Sequence, residues 1–323
     1  MVTRVLIRGR RRGAAVAVVA AFLLIGVINS LIVPAHAAFP GANGQIVFVS
    51  NRDDTEEDIY VMEADGANPI RLTMGEGQEL NPSWSPDGTQ IVYFATQGNA
   101  YQIFVMDADG GNQTPLTDDE WGGQDPAWSP DGTQIAFARF DPDTSSSDIW
   151  VMDADGSDLV NLTKHPAYDV EPNWSPDGTR IIFETDRVAE FGEIFVMDAD
   201  GGNPTNLTNN AEGWDGRPDW SPDGTQIAFH SDRGDGIDVY VMDSDGSNQM
   251  NLTQTGSAAM AAWSPDGTQI AFMSDLHDIS VIDVAGGGIV NLTDNDDFDT
   301  LPNWQPLMTP SYDVFLPVVV TLP

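Results

Sequence analysis

Six residues, Trp-Ser-Pro-Asp-Gly-Thr, recur five times in this chain, at Trp84–Thr89, Trp128–Thr133, Trp174–Thr179, Trp220–Thr225 and Trp263–Thr268. A worn sixth copy stands at Trp304-Gln305-Pro306. The tryptophans are 44, 46, 46, 43 and 41 residues apart. A repeat of that length, filled with short apolar runs and tight turns, cannot bury its own hydrophobic faces. Copies must stack on each other, and the closed way to stack small sheets is a propeller.

The phrases inside one repeat say how each blade is built. Pro172–Trp174 leads into Ser175-Pro176-Asp177-Gly178, where Pro presets φ, Asp bonds back to the backbone and Gly accepts positive φ. Ile181-Ile182-Phe183 follows, then Glu193–Met197, the hairpin turn Asp198-Ala199-Asp200-Gly201, and Asn206-Leu207-Thr208. Four short antiparallel strands result. The third is apolar on both faces, as in Ile103–Met106 and Ile149–Met152, which suits a strand covered on both sides. Counting that phrase at Ile59–Met62, Ile103–Met106, Ile149–Met152, Ile194–Met197, Val239–Met242 and Ile279–Ile282 gives six blades. The chain enters mid-repeat at Gln45-Ile46-Val47-Phe48 and leaves on Leu301–Trp304. The expected fold is therefore all-β: a six-bladed β-propeller of four-stranded antiparallel blades, its ring closed by strands from both chain ends. The repeated Trp is expected to pack between blades. Blades covered on both faces leave no long free sheet edge, and the chain is read as a monomer.

Three segments are expected: a leader over 1–37, the propeller over 38–305, and an apolar tail over 306–323 that serves as an extra strand or an attachment. The leader carries Arg4, Arg8, Arg10, Arg11 and Arg12, no acid, the apolar run Ala14–Val33, and small residues at Ala35 and Ala37 before a cleavage point at Ala38. Left uncleaved, the same run is long enough to anchor the chain in a membrane, the one membrane contact expected. Either way the body lies outside the cytoplasm. It holds eight basic residues against 50 acidic ones, which excludes nucleic acid and anionic lipid as partners. There is no cysteine, so no disulfide supports the fold.

The string Trp-Ser-Pro-Asp-Gly-Thr-Gln-Ile-Ala-Phe, followed by Ile-Tyr-Val-Met-Asp-Ala-Asp-Gly and Asn-Leu-Thr, resembles the WD40-like Pro-Asp (PD40) repeat of TolB-type propellers over about residues 39–305. The resemblance implies a six-bladed propeller. In TolB that propeller follows an N-terminal α/β domain and binds a peptidoglycan-associated lipoprotein; here the repeats begin almost at the expected cleavage site. The same repeat forms the non-catalytic propeller of prolyl-oligopeptidase-like enzymes. No hydrolase domain or Gly-x-Ser-x-Gly elbow accompanies it here.

Chemistry is sought first at the channel mouth. The strand ending at the repeated Trp is expected to be innermost, and the residues five positions before each Trp are Glu79, Gly123, Asp169, Asp215, Ala258 and Asp299. Three positions before it stand Asp125, Glu171 and Arg217, and just upstream lie Trp121, Tyr168, Trp214 and Phe298. An acidic ring fringed by aromatics suits a cationic peptide, an amine or a sugar. The leading expectation is a non-enzymatic exported propeller binding a protein, peptide or glycan there, and Asp169→Asn with Asp215→Asn should then abolish binding without unfolding. The alternatives are a hydrolase or lyase with a metal-assisted acidic site at the same mouth, and an envelope scaffold. No cofactor is required; Ca²⁺ is the candidate ion for such a carboxylate ring. The Asp-x-Asp-Gly phrases lack a calcium loop's spacing and read as turns. His165, His230 and His277 fall in different phases of the repeat, against a His-based metal centre or a triad, and read as scattered surface residues. The Asn-Leu-Thr phrases match a glycosylation sequon, but their fixed phase marks them as fourth strands.

Overall fold

The computed structural model describes residues 42–307 apart from 54, 55, 76, 99, 189, 190, 211, 212 and 276. They form six sheets of four antiparallel strands, numbered here as blades I to VI. The innermost strands are Glu79–Trp84, Gln124–Trp128, Asp169–Trp174, Asp215–Trp220 and Ala258–Trp263 for blades II to VI, and Asp299–Leu307 for blade I. That last strand pairs antiparallel with Ala42–Ser50 from the other end of the chain, from Ala42 opposite Leu307 to Ser50 opposite Asp299, and so closes the ring. It runs two residues past the expected boundary at 305. The leader and most of the 306–323 tail lie outside the described residues.

Three hydrogen-bonded devices recur around the ring, the first in blades II to VI, the second in blades I to V and the third in all six. In the first turn Asp87 accepts from the Ser85 hydroxyl at 2.7 Å and from the Thr89 amide and hydroxyl at 3.0 and 2.8 Å, while Gly88 takes φ +69°. In the second, Asp109 caps the hairpin by accepting from the Gly111 amide at 2.9 Å. The third falls on the Asn-Leu-Thr phrase. Thr208 accepts the Ile194 amide at 3.0 Å and donates to the Glu193 carboxylate at 2.6 Å, pinning the two-residue outer strand Thr205–Asn206 to its neighbour. All six blades repeat this clamp, with Asp58, Gln102, Asp148, Asp238 or Asp278 in the place of Glu193.

The core is a set of layers between blades. Trp174, Ile181, Phe183, Phe195 and Met197 of blade IV pack on Ala127, Ala136, Ile149 and Val151 of blade III. Each of the five other junctions holds a cluster of the same make-up. The repeated Trp of each blade contributes its indole to one of these layers, at 3–9 % exposure, as the repeat implied.

Candidate functional site

All six innermost strands carry a bulge two residues before the Trp, seen as a register break between Leu80 and Ser83, Gln124 and Ala127, Val170 and Asn173, Gly216 and Asp219, Ala259 and Ala262, and Thr300 and Asn303. The residue three before each Trp then takes a left-handed backbone: Asn81 (φ +48°), Asp125 (+52°), Glu171 (+54°), Arg217 (+51°), Met260 (+59°) and, in the closing strand, Leu301 (+54°). Left-handed geometry costs a non-glycine residue roughly 1–3 kcal/mol and is kept only where surrounding structure imposes it. Here it turns these six side chains, one from each blade, toward the axis. With the residues one and two before the Trp they line a central cavity of about 120 Å³.

The ring is asymmetric in charge, and a polar chain crosses it. Arg217 of blade V donates from Nε to Glu171 of blade IV at 2.9 Å, and its own amide donates to the same carboxylate at 2.8 Å. Its Nη1 reaches 3.2 Å to Asn81 Oδ1 on blade II, on the opposite side of the channel. Asn81 donates in turn to Asp125. Burial, reinforced by the charge of Glu171, pushes the Asp125 carboxyl up to about 6, although Arg217 opposes the shift. Deeper in the channel, Asp219 accepts from the Trp263 amide at 2.6 Å and from Asn173 at 2.8 Å, tying three adjacent inner strands together. Burial lifts its carboxyl to about 7.

Beside Arg217 the wall between blades IV and V holds Glu184 and His230. Both occupy a second-strand position that other blades fill with Val49, Phe94, Ala138 or Met273. Trp214 bridges them: its Nε1 donates to Glu184 at 2.6 Å, and its ring meets the His230 imidazole edge-on at 4.4 Å. Two glycines make room. A Cβ on Gly216 would stand 2.2 Å from Glu184 Oε2 and 2.9 Å from His230 Nε2, and one on Gly192 would strike Glu184 and Trp214. Burial first, and then the charge of Glu171, raise Glu184 to about 9. Burial lowers His230 to about 4, and neither ring nitrogen has a hydrogen-bond partner. At neutral pH the wall therefore presents a protonated carboxyl and a neutral imidazole.

With this geometry in view, comparison with known proteins identifies the repeat. The family model described as the TolB beta propeller domain (PD40) matches residues 29–140, 120–208 and 189–307. The chain belongs to the TolB β-propeller (PD40) family. Among curated proteins, the Tol-Pal system protein TolB of Desulfosudis oleivorans is 43 % identical over 49 residues, 15 % of this chain and 11 % of that protein. This PD40 chain thus aligns with only a small part of the curated relative's length. Among solved structures, TolB from Acinetobacter baumannii superposes with a TM-score of 0.72 at 24 % identity, covering 83 % of this chain and 68 % of that one. An oligogalacturonate lyase in complex with manganese shares the ring at a TM-score of 0.57 and 14 % identity, over 79 % of this chain and 76 % of that one. Both likenesses speak to the fold alone.

The PD40 ring separates the expected site residues into two groups. Asp125, Glu171 and Arg217 line the channel. Asp169, Asp215 and Asp299 do not. All three are fully buried inside their blades and paired with arginines: Asp169 with Arg187 through two contacts of 3.1 and 2.6 Å, Asp215 with Arg233 at 2.6 Å, Asp299 with Arg52 at 2.8 Å. Each guanidinium lies over two aromatic rings of its own blade, Phe183 and Phe195, Phe229 and Tyr240, or Phe48 and Tyr60. Glu79 is also buried, its carboxyl raised to about 7 by burial and by the neighbouring Asp58. The acidic ring expected at the mouth is thus, at these four positions, blade interior. A hard cation does not fit it, because the three aspartates are committed to guanidinium groups. Among the described residues no group of three or more His, Asp or Glu is placed to hold a metal. Of the aromatics, Tyr168 is exposed, Trp121 is exposed and stacked on Phe140, Phe298 is half-buried, and Trp214 belongs to the acid wall. His230, read as a surface residue, is buried at 1 % exposure.

Proposed function

We propose that this chain is an exported, non-enzymatic binding propeller whose channel mouth takes a protein or peptide segment carrying a positive charge. One observation carries the reading. The bulged ring aims Asp125 and Glu171 into the channel against a single cation, Arg217, which is held by exchangeable hydrogen bonds rather than by packing. A lysine or arginine entering from solvent can replace the Arg217 contacts with Glu171 and Asn81 and offset the charge that burial makes unfavourable at Asp125. The loops at this end also expose Met74, Tyr168, Val188 and Phe191, apolar contact area of the kind protein partners bury. Export rests on the Arg-rich leader and its Ala35–Ala37 cleavage signal, and agrees with the Tol-Pal name of the curated relative.

The test is calorimetric titration of the mature chain with lysine-rich and arginine-rich peptides at low and moderate salt. Binding should weaken as salt rises and fall about tenfold or more in the double variant Asp125→Asn, Glu171→Gln, measured at a temperature where that variant still shows a cooperative folded baseline, since Arg217 loses its carboxylate partner. Undiminished binding in that variant would remove the channel from the account. A second reading is favoured by the wall of blades IV and V, where a protonated Glu184 and a neutral His230 have the states that an acid and a base require. Turnover of any substrate in a hydrolase and lyase screen, abolished by Glu184→Gln, would move the assignment to an enzyme.

A further inference from the structure

Blade III breaks the pattern of its neighbours. Its residue five before the Trp is Gly123, so no carboxylate waits inside the blade for an arginine. Its second strand reads Ala138-Arg139-Phe140-Asp141 where blade V reads His230-Ser231-Asp232-Arg233, so the arginine has moved two positions back along the strand. In blades I, IV and V the guanidinium fills the space over the strand-two and strand-three aromatics. In blade III Arg139 instead lies across the Trp150 indole at 5.3 Å, with Nη2 bound to Asp119 at 2.6 Å. Beside Arg139 lies an open cleft of about 560 Å³, within the range of small-molecule sites.

The lining of this cleft is unusual in two ways. Trp121 and Phe140 stack at 5.3 Å and 22° at its edge, 38 % and 39 % exposed, although both are large and apolar. Arg139 is nine-tenths buried, and its Nη1 has no hydrogen-bond partner, as is also true of Trp150 Nε1. Both donors are closed to solvent, so the feature open to an occupant is the aromatic pair: stacked and partly exposed, it gains apolar contact when a ligand covers it.

We propose that the blade III cleft binds a neutral sugar. A pyranose ring offers an apolar C–H face for the Trp121–Phe140 platform and hydroxyls that both donate and accept. The cleft adds polar groups beside that platform: Lys164, the Asp143 carboxylate, and Asn161, whose side chain is held by Asp141 at 2.7 Å. Two cations and two anions line it, in a chain whose formal net charge is −37. An acidic ligand is repelled by the whole molecule, and within the cleft Lys164 stands against the carboxylates that would hold a cationic one. The site is on a different blade face from the channel and does not depend on what the channel binds.

The experiment is calorimetric titration of the mature full chain with a panel of neutral oligosaccharides (cellohexaose, xylohexaose, maltohexaose, mannohexaose and chitohexaose), beside oligogalacturonate and a lysine-rich peptide. At least one neutral member should bind. Trp121→Ala, and separately Phe140→Ser, should weaken it about tenfold or more at a temperature where each variant keeps a cooperative folded baseline, since neither side chain belongs to the layers between blades. The channel double variant Asp125→Asn, Glu171→Gln should bind the same sugar as wild type. Absence of binding across the neutral panel, binding that survives Trp121→Ala, or a cleft-dependent preference for the acidic sugar or the peptide would each overturn the proposal.

Discussion

At the residue scale, a tryptophan and an aspartate of the same repeat show how differently single positions report on a structure. Trp174 is 7 % exposed and sits in the layer joining blades III and IV, so Trp174→Ala should cost about 3–5 kcal/mol. Denaturant unfolding measures this directly, and an unshifted midpoint would mean the indole is not part of the layer. A large aromatic repeated at a fixed period has few roles other than packing, which made it legible from sequence. Asp169 stood at an equally regular position and misled. A strand alternates its faces every two residues, so the positions five and three before the Trp should share a face. The bulge between them inserts a residue, turns the position three before the Trp toward the axis, and leaves Asp169 inside the blade beneath Arg187. Changing Asp169 and Asp215 to Asn would therefore disrupt two buried ion pairs, and lost binding in that variant would no longer be separable from lost stability.

At the scale of elements, turns and strand order were readable because proline, aspartate and glycine have fixed geometric duties. The threonine clamp was not, because a hydroxyl and a carboxylate fifteen residues apart carry no local signature. Comparing repeats column by column would have found the acid wall: Glu184 and His230 are polar where the other second strands are apolar. Their effect on stability has a definite sign. A carboxyl held at about 9 keeps a proton that the unfolded chain has already released, so Glu184 makes the fold less stable as pH rises through that value. His230 acts in the opposite sense, lending stability as pH rises from about 4 toward its ordinary value near 6.5, and is flat above it. Glu184→Gln should accordingly gain in melting temperature over wild type, by an increasing margin, between about pH 7 and pH 9. Parallel curves across that interval would show that Glu184 is already ionised in the folded wall.

At the scale of the molecule, six near-copies make a ring whose neighbours are joined by layers of the same kind. One junction differs in kind: blade I is assembled from residues 42–71 and residues 299–307. Removing residues 299–323 takes away its innermost strand, uncovering Ile46 and Phe48 and unpairing Ala42–Ser50. Such a truncation should lose its cooperative thermal transition altogether rather than melt a few degrees early. A sharp transition retained would show that five complete blades can hold an open ring.

That closing strand also sets an order in time. The first blade cannot be finished until the last repeat has been made and delivered, and contacts spanning about 250 positions are slow to find. For the exported chain proposed above, this delay is an advantage. As long as its final strand is withheld the ring stays open, its blades unlocked and threadable, and the shape that could no longer pass through a narrow pore forms only after the whole length has arrived.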